Sequence, residues 1–392
     1  MREKIIDIVK KCGKGHLGTS LSSLEIIRAV REVMREKDIF ISSKGHDALA
    51  QYVVLAEAGI LDEKLLDTFR QEGGLPGHPT VDIPGIVANT GSLGMGLSKA
   101  LGFALGRPER KVYCLLGDGE MMEGQNWEAA LAARTAKLDN IVALVDYNGF
   151  SQDDVTDLSE STILNMFRAA GWNPIYLPDG NDFEAILHTL AFLDKGLWAI
   201  VLQTVKGKGA QFEGKWYSHF GPPDMEYIVP PQYRALRNAV ERLMEQDERV
   251  ILVGADTLRD LNLWGIKEHP KLGKRVYDFG IAEQNAVSFA SARALMGEIP
   301  IVATYACFLR RAFEQIYNQV TEETNVIYIG TLAGPLPPSG PGISHQSLDD
   351  GAYMGNIMPV VTPFSGFIDN EINMALNMGM KEKNSLYVRI LA

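Results

Sequence analysis

Apolar residues along this chain fall into two alternating patterns. Short uninterrupted blocks occur at VYCLL (112–116), IVALV (141–145), AIVLQT (199–204), VILVG (250–254), IVAT (301–304), VIYIG (326–330) and LYVRI (386–390). Blocks of this length, apolar on consecutive positions, predict strands covered on both faces. Between them run longer segments in which apolar positions recur every three to four residues. Examples are NWEAALAARTAKL (126–138), QYRALRNAVERLMEQ (232–246) and AEQNAVSFASARALM (282–296). That spacing predicts helices with one buried face. The alternation predicts an α/β protein of mostly parallel sheets with helices on both faces, joined by right-handed crossovers. The segment GPPDMEYIVPPQY (221–233) holds four prolines and no clear period. It marks a boundary between two α/β domains, 1–225 and 231–392.

Composition narrows the function. The chain has 392 residues, 46% of them hydrophobic, and a formal net charge of −11. A nucleic-acid-coating surface needs a basic face, so that class is disfavoured. Three widely spaced cysteines, Cys12, Cys114 and Cys307, suggest neither a disulfide framework nor a zinc ribbon. With no apolar run of membrane-spanning length and no signal-like start, we expect a cytoplasmic protein without a membrane partner.

The richest segment is 112–150. A buried strand ends in Gly117-Asp118-Gly119, a helix follows, and a second buried strand ends in Asp146-Tyr147-Asn148-Gly149. Both polar clusters fall at carboxyl ends of parallel strands, where α/β folds place ligands. The glycines permit close backbone approach to a phosphate. Asp118 and Asn148 each offer the hard oxygen that magnesium takes alongside phosphate oxygens. GDG alone is usually just a turn; the second strand ending in Asn raises its weight.

In the second half, RVYDFGIAEQNAVSFASARAL (275–295) leads a short strand through Gly280 into a helix with Glu283 in its first turn. A carboxylate there is ordinarily a helix-dipole partner. Its apolar and small neighbours predict burial, where an unpaired carboxyl is costly unless a ligand answers it. Five of seven histidines sit beside Gly or Ser: His16, His46, His78, His219 and His345. One loop histidine is usually surface. Five in similar settings suggest one polar pocket able to bond a polyhydroxylated substrate and shuttle protons. The absence of HxH and HExxH spacing argues against zinc.

These motifs resemble the transketolase group of thiamine diphosphate enzymes over essentially the whole chain, from His16 to Arg389. GKGHLG, SSKGHD, LPGHP, TGSLGMGLSKALG, YSHFGPPD and ISHQ occur in the family's order, and GIAEQ especially resembles 1-deoxyxylulose-phosphate synthases. The resemblance implies thiamine diphosphate with Mg2+ (or Ca2+ or Mn2+). The metal would be held by Asp118, Asn148 and the carbonyl of Phe150. Cofactor contacts would come from His46, Ser92, Leu93, Gly117, Asp118, Gly119, Glu120, Glu123 and Asn148. Glu283 would hydrogen-bond N1′ of the aminopyrimidine and so activate the cofactor. In TYACFLRRAF (304–313) Phe308 would stack on that ring, with Tyr305 beside it; on composition alone Phe308 reads as core. His16, His78, His219 and His345 would act on substrate, with Arg389 and Arg234 on its phosphate. The family's homodimer, with active sites at the interface and Glu123 supporting the activating glutamate, is implied as well.

The match departs from the family in two places. Transketolases carry a third, C-terminal domain with no counterpart here, which implies either a partner chain that supplies it or a compact enzyme. The family's phosphate-binding His after VIYIG is replaced within Thr331-Leu332-Ala333, and an Asp before ISHQ is replaced by Pro341. Each lost charged hydrogen bond is worth roughly 1.5–3 kcal/mol. The expected activity is therefore transfer of a two-carbon ketol unit from a ketose to an aldehyde that differs from a standard aldose phosphate, either lacking the usual terminal phosphate or larger and carried on another group. Two alternatives stay open: a decarboxylating carboligase using pyruvate or another 2-oxo acid, and one component of a split transketolase. A non-catalytic scaffold is disfavoured because Asp118, Asn148 and Glu283 are all intact.

Overall fold

The computed structural model describes the chain except residues 155, 157, 220–228, 337–339, 364–367, 383 and 392, and except the side chains of Trp216 and Ser218. Most of the proline-rich boundary segment, the FGPPD stretch after His219 and the PPS of LPPSGPGISHQ lie outside the described residues. The chain divides into two compact units. One comprises Met1–Glu226 with Pro337–Ser344, the other Tyr227–Leu336 with His345–Ala392.

The first unit is built on five strands: β1 (Ile39–Ser42), β2 (Val112–Gly117), β3 (Asn140–Tyr147), β4 (Asn173–Leu177) and β5 (Gly196–Gln203). They stand in the order β1-β2-β3-β5-β4, and every pairing is parallel. Side chains alternate across the pleat. Tyr113, Leu115, Val142, Leu144, Ile200 and Leu202 face the helices Arg2–Cys12, Leu17–Val33, Ala48–Glu57 and Phe183–Ala191. Their neighbours Cys114, Leu116, Ala143, Val145, Ala199 and Val201 face Gly96–Gly106, Gly124–Thr135 and Glu160–Ala169. Two covered faces explain why these strands are apolar at every position.

The second unit holds β6 (Val250–Gly254), β7 (Val276–Asp278), β8 (Ile299–Tyr305), β9 (Ile327–Ala333), β10 (Val360–Val361) and β11 (Leu386–Leu391), in the order β10-β11-β9-β8-β6-β7. All pairings are again parallel. Leu252, Ile301, Ile329 and Val388 pack with the helices Pro231–Gln246 and Ile368–Lys381. Val253, Val302, Tyr328 and Tyr387 pack with Glu283–Leu295 and Phe313–Thr321. The α/β reading with covered parallel sheets thus holds in both units. Three strands escaped the sequence reading. β1 and β10 are four and two residues long, and β4, NPIYL, is a partly exposed edge strand carrying Pro174.

Candidate functional site

Parallel pairing puts the carboxyl ends of β1, β2, β3 and β5 on one edge of the first sheet. The polar segments Ser43–Asp47, Asp118–Glu123, Asn148–Phe150 and Thr204–Lys206 follow those strands. Asp118 is buried; its Oδ1 accepts from Gly119 N at 2.9 Å and its Oδ2 from Gly149 N at 2.6 Å. Asn148 Oδ1 accepts from Phe150 N at 3.1 Å. Burial, reinforced by the neighbouring charge of Asp146, raises the Asp118 carboxyl to about 6. A carboxylate disfavoured by burial gains most from an adjacent cation. Asp118, Asn148 and the Phe150 carbonyl therefore form a donor set that fits a hard divalent ion, with lone pairs left for it.

Glu120 ties three loops together. Its carboxylate accepts from Gly117 N at 3.0 Å, Gly94 N at 2.7 Å and the Ser43 hydroxyl, while Ser43 Oγ itself accepts from Gly96 N at 2.9 Å. Burial raises the Glu120 carboxyl above its ordinary value, and its hydrogen bonds oppose that rise. Ser92 and Leu93 are half-buried in the loop this network holds, and Glu123 is fully buried where the helix Gly124–Thr135 begins. Gly45, at φ +64°, allows a close backbone approach: a Cβ there would stand 2.4 Å from Gly91 N.

Four of the five singled-out histidines converge in the first unit. The His16 ring lies 5.7 Å from His46, 5.2 Å from His78 and 5.3 Å from His219, and His46 lies 5.7 Å from His219. Burial is the main cause that lowers all four pKa values, with the other imidazoles or nearby Lys and Arg adding to it for each. His78 falls to about 4, the other three well below their ordinary value. The four are neutral at pH 7. His46 Nδ1 meets the Lys44 carbonyl at 2.7 Å, and His78 Nδ1 meets the Pro341 carbonyl. A carbonyl only accepts, so both nitrogens carry the proton and leave Nε2 as the acceptor.

Sequence reasoning missed the charged residues around this cluster. Lys44 and Asp146 form a fully buried ion pair. Asp146 also accepts from Ser22 Oγ at 2.7 Å and from the Thr204 hydroxyl, and Lys44 donates to Ser23 Oγ at 3.2 Å. Lys206 donates to the Ser151 carbonyl at 2.8 Å, with its ammonium 5.7 Å from the Phe150 ring. A signal was present: Lys44 and Asp146 each adjoin an apolar strand, where a buried charge demands a partner.

In the second unit Glu283 is the first residue of its helix and is buried. Its Oε2 has no hydrogen-bond partner among the described residues. A buried carboxyl oxygen with nothing to bond costs stability, and it is suited to a ligand donor or ring nitrogen. It fits the aminopyrimidine of thiamine diphosphate. Tyr305, Phe308 and His345 form an aromatic group: Tyr305 to Phe308 is 5.2 Å, Phe308 to His345 is 5.3 Å and Tyr305 to His345 is 6.2 Å. The Tyr305 hydroxyl donates to Asp260, whose carboxyl burial pushes up to about 7. Arg389 is bound by Asp350 at 2.7 Å, and Tyr387 donates to the same oxygen at 2.8 Å. Arg234 is exposed on the helix Pro231–Gln246.

Comparison with known proteins gives consistent matches. Residues 1–229 match the transketolase thiamine diphosphate binding domain, and residues 232–390 the transketolase pyrimidine binding domain. An apulose-4-phosphate transketolase subunit of Phocaeicola vulgatus is 36% identical, over 62% of this chain and 92% of its own length. Human transketolase is 30% identical, over 99% of this chain and 72% of its own. Among solved structures, transketolase from Campylobacter jejuni aligns with a TM-score of 0.54 at 20% identity, covering 99% of this chain and 76% of that one. Among the described residues, no helix is long and apolar enough to cross a membrane.

Proposed function

Because this chain belongs to the transketolase family, thiamine diphosphate-dependent transferases of ketol groups, we propose that it moves a two-carbon ketol unit from a ketose to an aldehyde. Bound thiamine diphosphate supplies the carbon nucleophile and electron sink for breaking the bond beside the ketone. The first domain (1–225) holds the diphosphate and metal, and the second (231–392) the aminopyrimidine. Asp118, Asn148 and the Phe150 carbonyl take Mg2+. His46, Ser92, Leu93, Gly117, Gly119, Glu120 and Glu123 shape the surrounding wall. Glu283 bonds the aminopyrimidine through its unpartnered oxygen, and Phe308 with Tyr305 provides the aromatic face.

The observation that carries this reading is the convergence of four neutral imidazoles. A ketose presents several hydroxyls. Neutral imidazoles both donate and accept, so they orient such a substrate without the desolvation cost of charge. His16, His78 and His219 serve this role, and His345 is assigned to substrate as well. His78, with Nδ1 committed to a carbonyl, holds a substrate hydroxyl proton at Nε2.

The acceptor lacks the usual terminal phosphate. Support comes from Arg389, whose charge is met by Asp350, and from the replaced His and Asp. Arg234 is the remaining cation proposed for substrate. The protein works in the cytoplasm as a homodimer. A second reading, one component of a split enzyme, is favoured by the Phocaeicola vulgatus relative, which is named as a transketolase subunit.

A panel of ketose donors and aldehyde acceptors, assayed with purified protein, thiamine diphosphate and Mg2+, tests the reading. Two-carbon transfer by the chain alone supports the compact enzyme, and transfer only on adding a partner chain supports the split one. Carbon dioxide release from pyruvate with no ketose present would replace both with a decarboxylating carboligase.

A further inference from the structure

Arg70 lies outside the sequence motifs that supply the site residues. It sits in the loop that ends at His78 and adopts φ +55°, a left-handed conformation rare for an arginine. The loop is held by Arg70 N donating to the Leu75 carbonyl at 2.7 Å and Gly77 N to the Gly340 carbonyl at 3.0 Å. Its guanidinium lies against Gly77, where a Cβ would stand 2.6 Å from Nη1. The side chain is thus aimed by a strained backbone and admitted by the absence of a side chain on the residue before His78. Strain of this kind collects at functional sites.

The guanidinium is mostly withdrawn from solvent, and its Nε is buried without a hydrogen-bond partner among the described residues. Among those residues it forms no ion pair with a carboxylate, and the ionisable group acting on it is the Cys12 thiol. Its charge reaches both His16 and His78 and lowers their pKa values further. An arginine five-donor fork left unpaired in a partly dry site is costly, and an oxyanion is its natural complement. A neutral His16 beside it adds a donor without repelling an anion, whereas His78 spends its one N–H on the Pro341 carbonyl.

We infer that Arg70, with His16, forms an oxyanion-binding subsite beside His78 that takes the carboxylate or phosphate of a substrate. This rests on the reading that the histidine cluster faces substrate. It places a charged anchor beside the hydroxyl-reading imidazoles, in the unit that does not contain Arg389.

The test is calorimetric titration of the protein, with thiamine diphosphate and Mg2+ present, in two arms: inorganic phosphate and pyruvate. Wild type is compared with Arg70→Gln, Arg70→Met and Arg70→Lys. We expect the wild type to bind at least one probe, and the responding arm identifies the oxyanion. Gln and Met should weaken binding at least tenfold, and Lys should restore part of it. The bound anion should raise the His78 imidazole pKa, followed by NMR, in wild type but not in Arg70→Gln. Equal affinity in wild type and both neutral variants, or no binding of either probe by wild type, overturns the subsite. Thiamine diphosphate affinity and melting temperature, measured on each variant, separate this outcome from misfolding. Failure of the wild type to bind the coenzyme would instead sink the proposed function.

Discussion

Lys44 and Asp146, which lie 102 residues apart in sequence, pair as opposite charges inside the first unit with almost no solvent exposure. Each follows or ends a strand, so their pairing joins β1 to β3 across the intervening β2. The hydroxyls of Ser22, Ser23 and Thr204 complete the bonding. Removing one partner leaves the other charge buried alone. Lys44→Ala or Asp146→Ala should each cost about 3–5 kcal/mol. The double variant Lys44→Met/Asp146→Leu should cost less than the sum of the two. Urea denaturation measures all of them, and additive losses would show that the charges do not interact.

Glu283→Ala should behave in the opposite way. Because Oε2 has no hydrogen bond among the described residues, its removal leaves stability within about 1 kcal/mol of wild type. Turnover in the ketol-transfer assay should fall by at least about 10²-fold. A variant that unfolds, or one that keeps full turnover, contradicts the assigned role.

The buried histidines set a pH dependence. Their folded pKa values lie below the unfolded value of 6.5. Between those limits the unfolded chain binds more protons, so stability rises with pH. The contribution is fully present above 6.5 and is lost as pH falls through that value toward about 4 for His78. For His78 alone it is on the order of 3 kcal/mol. Thermal melts from pH 8 to pH 4 should show the decline, and His78→Gln should flatten it. An unchanged slope in that variant would place the titration elsewhere.

Two glycines should respond to alanine with opposite signs. Gly45 has positive φ and faces the backbone of Gly91, so Gly45→Ala should destabilise and weaken coenzyme binding. Gly102 lies exposed in the helix Gly96–Gly106, with nothing within 4 Å of where a Cβ would stand. Gly102→Ala should stabilise by about 0.5–1 kcal/mol. Melting temperatures of the two variants decide the matter.

What the residues along the chain determined by themselves was the layer order and the chemistry on offer. Strands with two covered faces must be apolar throughout, so β2, β3, β6 and β9 were legible. Strand ends in α/β folds carry polar ligand-binding turns, so Asp118, Asn148 and Glu283 stood out. Short or edge strands such as β1 and β4 were not legible, because they owe their form to a neighbouring strand rather than to their own pattern. Only the tertiary structure decided that four distant histidines share one cluster and are neutral, and that Lys44 answers Asp146. It alone decided that, among the described residues, no carboxylate answers Arg70. Pairing, burial and the pKa shifts they cause depend on distances through space, and parallel crossovers bring together residues that the linear order keeps far apart.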